Sequence, residues 1–83
     1  MKKITEIDIY TLIEKALEIK VNTIVDNPEV THESFEAWDS LGQISILVAL
    51  DKLFDGKIAA ISEMASADSV SKITEILKKN SLI

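Results

Sequence analysis

Residues 39–54 read DSLGQISILVALDKLF, and this stretch decides the fold. Asp39 is a side chain suited to accept from the free N–H groups that open a helix. Gly56 follows just past the end, where a left-handed residue commonly closes one. On a wheel at about 100° per residue, Ile46, Leu47, Leu50, Leu53 and Phe54 fall within an arc of roughly 120°, a stripe suited to burial. Leu41, Ile44 and Val48 form a second arc, roughly 60° wide and nearly opposite, where a bundle helix would ordinarily be polar. The helix is therefore either buried on two sides or offers an apolar patch to a partner. Ser40 projects close to that second arc, at the helix N-terminus. Gly42, in the first turn, is expected to loosen the helix start, since Gly costs about 1 kcal/mol there relative to Ala.

Outward from this helix, residues 4–20 carry Ile4, Ile7, Tyr10, Ile13, Ala16 and Leu17 at mostly three-residue spacing, which predicts a helix over about 5–20. Glu6 and Asp8 in its first turn and Lys20 near its end suit the helix dipole. Residues 21–38 lose the period, and Asn27-Pro28 favours a turn. A loop of this length needs anchoring, and Ile24, Val25, Phe35 and Trp38 are expected to pin it to the core. Residues 58–65 suit a short third helix. Ser66 to Ser69 form a turn-and-cap cluster, and 69–79 reads as a closing helix with Val70, Ile73, Ile76 and Leu77 inside. The expected fold is all-α: a small helical bundle of three longer helices plus one short one, in a single domain over residues 1–83.

Composition narrows the function. The chain has 83 residues, nine Lys, no Arg, fourteen Asp plus Glu and a net charge of −5. With no Cys there is no disulfide, no thiol nucleophile among the encoded side chains, and no thiolate ligand set for structural zinc. An acidic chain without Arg is poorly suited to neutralising phosphates, so nucleic acid is not an expected partner. The charged residues Glu6, Asp8 and Glu14 interrupt any signal-peptide core. The longest uncharged run, Ser40 to Leu50, is too short to span a bilayer. A monomeric cytoplasmic protein is expected.

Enzyme motifs do not assemble. Ser69 and Lys72 match SxxK, but that motif works only in a larger scaffold with further motifs. The single His, His32, has no second His for a metal site. Gly42 and Gly56 build neither a dinucleotide fingerprint nor a phosphate loop. A chain that is not itself an enzyme is expected.

Charge is unevenly placed. Between Lys20 and Lys52 there is no basic residue except His32, while Asp26, Glu29, Glu33, Glu36, Asp39 and Asp51 lie there, giving that span −6 with His neutral. Such a field can steer basic partners toward the apolar arc. Asp39-Ser40-Leu41 at a helix start, followed by Ile44, Leu47, Val48, Leu50 and Phe54 in an acidic, all-helical chain, resembles the attachment region of acyl carrier proteins. The resemblance extends over nearly the whole chain, through the order of helices and the long acidic loop.

The resemblance implies that Ser40 carries 4′-phosphopantetheine, transferred from coenzyme A by a phosphopantetheinyl transferase (holo-carrier synthase) using Mg²⁺. It implies that Asp39 helps position Ser40 and the metal. It assigns Leu41, Ile44 and Val48 to contact with partner enzymes that load and transfer acyl or aminoacyl groups. It assigns Ile46, Leu50 and Ile58 to the region that shelters an acyl chain. Trp38 stands where many members have a small residue, and Gly42, Ser45, Lys52, Ala59 and Ala60 make the docking face less charged than in fatty-acid synthesis, as for a stand-alone carrier of a specialised pathway. A serine without a neighbouring base is a weak nucleophile, which suits a substrate of another enzyme. The alternative is an unmodified helical interaction module that uses the same apolar arc.

Overall fold

The computed structural model describes residues 3–83, so the first two residues of the expected domain lie outside the described ones. It is a small all-helical globule with α1 at Glu6–Leu17, α2 at Ser40–Leu53 and α3 at Val70–Lys79. No strand forms among the described residues; Thr31 and Ser69 meet only in an isolated antiparallel bridge.

Thr5 caps α1 reciprocally with Asp8, whose carboxylate accepts the Thr5 N–H at 2.9 Å. The helix ends at Leu17, three residues short of the sequence expectation. Glu18 turns left-handed (φ 57°), and its N–H returns to the carbonyls of Glu14 and Lys15. Beyond that point Glu14 supplies what more helix would have supplied. Its buried carboxylate accepts the N–H groups of Asn22 (3.0 Å), Ile24 (2.7 Å) and Val25 (3.1 Å), so three backbone donors of the turn are satisfied by one side chain.

The inward face of α1 also differs from expectation. Ile9, Ile13 and Leu17 are buried, whereas Ile7 is 59% exposed. Steps of three residues fall behind the helical turn by about 60° each, so the Ile4–Ile7–Tyr10–Ile13 series wraps around the helix, while steps of four hold one face.

The 21–38 segment is packed rather than loose. Ile24, Val30 and Trp38 are buried and Phe35 packs against the core, while Val25 is half-buried. A 3₁₀ turn spans His32–Ser34, and the bridge beside it is closed by His32 N–H to Asp68 O (2.8 Å) and Val70 N–H to Val30 O (3.3 Å). The expected third helix over 58–65 is instead two 3₁₀ turns, Ile58–Ala60 and Ser62–Ser66, separated by an extended Ile61 (ψ 95°). Neither turn is capped by the side chain of the residue that precedes it, and the break lets Ile58 and Met64 both point into the core. Ser69 caps α3 by accepting the Lys72 N–H at 3.1 Å.

The core is built on Ile9 and Ile13 from α1, Ile46 and Leu50 from α2, and Ile73 and Leu77 from α3, all fully buried. Phe54 joins them, but Leu53, expected on the same stripe, is exposed. No helix among the described residues is long and apolar enough to cross a membrane.

Candidate functional site: the N-terminal end of the second helix

Asp39 is the N-cap of α2. Its Oδ1 accepts the Gly42 N–H at 2.9 Å, and its carbonyl accepts the Gln43 N–H at 2.9 Å. Its extended backbone (φ −95°, ψ −162°) turns the chain so that Ser40 stands as the first helical residue, exposed. Among the described residues the Ser40 hydroxyl has no hydrogen-bond partner, and neither do the N–H groups of Ser40 and Leu41. An exposed hydroxyl beside free amides at the positive end of a helix dipole can accept a phosphodiester without burying or displacing anything.

Gly42 has a different reason from the one expected. It is buried, and a Cβ on it would lie 2.0 Å from the carbonyl oxygen of Ala37 and 2.9 Å from Leu17 Cδ2. The incoming loop therefore crosses directly against the first turn of α2, and only hydrogen fits between them. This tight crossing packs the loop against the turn that Ser40 opens.

The second apolar arc is open. Leu41 is 74% exposed, Ile44 56% and Val48 49%. Of the two readings of α2, burial on both sides is excluded, and the arc faces outward next to Ser40. The acidic side chains around it are mostly exposed, and Asp26, Glu29, Glu36, Asp39 and Asp51 have no ion-pair partner among the described residues. Their field is thus uncompensated locally. His32 Nε2 lies 3.8 Å from both Glu33 and Asp68. Lys72 Nζ meets Asp68 at 3.0 Å and holds its carboxyl below the usual carboxylate range, with burial opposing and His32 a minor contributor.

Two hollows flank the arc. One, about 590 Å³, begins at Ser40 and is lined by Trp38, Gln43, Ile44, His32 and Asp68. The other, about 410 Å³ and mostly apolar, runs beside Leu47, Val48, Ile58, Ile61 and Met64, with Asp51 and Lys52 at its rim. Asp51 also caps the turn below by accepting the Ala59 N–H at 3.1 Å. Of the residues expected to shelter an acyl chain, Ile46 and Leu50 lie in the core behind this groove, and Ile58 both closes the core and lines the groove.

Sequence reasoning did not anticipate Gln43. Its Oε1 accepts the Trp38 indole N–H at 2.6 Å, and its Nε2 donates to the carbonyls of Ala67 (2.9 Å) and Ala65 (3.3 Å). A buried Trp needs an acceptor for its N–H, and that requirement alone could have drawn attention to a polar residue one turn into the helix. Comparison with protein-family models, curated proteins and solved structures found no match to this chain, so what this face does has to be read from its own residues.

Proposed function

We propose that the chain is a carrier protein of the acyl-carrier type, bearing acyl or aminoacyl intermediates as thioesters on a 4′-phosphopantetheine arm at Ser40. The observation that carries this reading is the exposed, unpartnered Ser40 hydroxyl at the start of α2, bordered by Asp39 and by the open arc of Leu41, Ile44 and Val48. In a transferase complex, Ser40 Oγ would attack the phosphorus of coenzyme A that bears pantetheine. The pyrophosphate bond would break and adenosine 3′,5′-bisphosphate would leave. The hydroxyl proton would pass to a base of the transferase, since Ser40 has no base of its own. Asp39 would help hold the transferase's Mg²⁺, and the acidic surround would favour enzymes with basic docking faces.

Incubation of the apo protein with coenzyme A, Mg²⁺ and a broad-specificity phosphopantetheinyl transferase tests this by intact mass. The wild type should gain the mass of one phosphopantetheine and Ser40→Ala should gain none. No gain with any transferase would sink the proposal. Partners that bind Ser40→Ala as well as wild type would then favour an unmodified interaction module using the same arc.

A further inference from the structure

The cleft beside Ser40 and the apolar groove beside Leu47 and Ile58 meet at Ala65, which lines both. Gln43 crosses that meeting point. One side chain on α2 reaches the 65–67 turn through its Nε2 and holds the Trp38 ring through its Oε1. Behind the crossing the interior is filled, with Ile46, Leu50, Ile58 and Met64 each no more than 3% exposed. A chain that entered between α2 and the 65–67 turn would have to part Gln43 from both carbonyls and push aside close-packed side chains. If Gln43 swung away altogether, it would also strand the N–H of Trp38, which is itself 3% exposed, and a stranded buried donor is costly.

We propose that Gln43 is a gate. It clamps α2 to the 65–67 turn, so that cargo leaving Ser40 lies along the surface track from cleft to groove instead of entering the core toward Ile46 and Leu50. This rests on the carrier reading and gives it a specificity: short or polar cargo travels unhindered, and a long apolar chain is denied the interior. Gln43 acts through the helix and turn it joins and is a positioning residue.

The experiment loads wild type and Gln43→Ala with acetyl- and octanoyl-phosphopantetheine and follows thioester cleavage by hydroxylamine. In wild type, each thioester should be cleaved at about the rate of its small-molecule counterpart. In Gln43→Ala, the octanoyl thioester should be protected several-fold and the acetyl thioester unchanged, with cooperative unfolding retained, which separates opening of the gate from general loosening of the fold. Gln43→Glu keeps the acceptor for Trp38 while losing both donors, and it should show the same split if Gln43→Ala fails to fold. Octanoyl protected equally in wild type and variants, or in none of them, overturns the gate while leaving the carrier reading intact. If wild type accepts no arm at all, the carrier reading fails and the gate fails with it.

Discussion

At Gly42, two effects of opposite sign compete. In a helix, Ala is favoured over Gly by about 1 kcal/mol. Here the added carbon would sit 2.0 Å from the backbone oxygen of Ala37, which cannot rotate away as a side chain would. The clash should win, and Gly42→Ala is expected to destabilise the protein by about 1–3 kcal/mol net, in the range of overpacked cores. Chemical denaturation should show a lower midpoint with an unchanged slope. A rise in the midpoint would mean that the loop at Ala37 yields. The position also marks a limit of sequence reasoning. Asp39 and Ser40 are legible because a cap and its helix are local. The reason for Gly42 lies five residues back, on a loop whose path no periodicity records, and the sequence suggested only a loosened helix start.

At the scale of the element, α2 carries one buried and one open apolar face, and single substitutions should separate them. Leu50 is fully buried, and Leu50→Ala should cost about 2–5 kcal/mol through lost contacts and the cavity left behind. Val48 is half exposed on the outer arc, and Val48→Asp should stay within about 0.5 kcal/mol of wild type, as surface changes usually do. The same variant should be modified or loaded less efficiently, because it sets a charge in the apolar arc. Thermal unfolding alongside a modification assay checks both, and loss of cooperative unfolding in Val48→Asp would show that Val48 supports the core. The two arcs could be read from sequence because α2 is long enough for its period to register. The 58–66 segment could not. Its apolar residues also suit a short helix, and only the extended backbone at Ile61 splits it into two turns.

At the scale of the whole molecule, the start of α1 is tied to the last turn of α3 by the Glu6–Lys78 ion pair, and Glu6 also accepts the Tyr10 hydroxyl at 2.9 Å. The Lys78 hydrogen bond, then that of Tyr10, holds the Glu6 carboxyl below its ordinary range. Asp68 is lowered in the same way by Lys72. A carboxylate lowered in the folded state contributes stability that is present above its unfolded pKa, about 4, and is lost as pH falls through the lower folded value. Acidification also has an opposing effect. The net charge is −5, and acidification lowers that charge and relieves self-repulsion. The wild-type curve alone therefore mixes two trends, and a comparison separates them. Glu6→Gln leaves the acidic segment untouched, so below about pH 5 its stability should fall less steeply than that of wild type. Near neutral pH, added salt should narrow the gap between the two proteins, because the pair is exposed and screened. Denaturation midpoints across that pH range are the measurement. Parallel curves for the two proteins would show that the tie between α1 and α3 does not persist in solution.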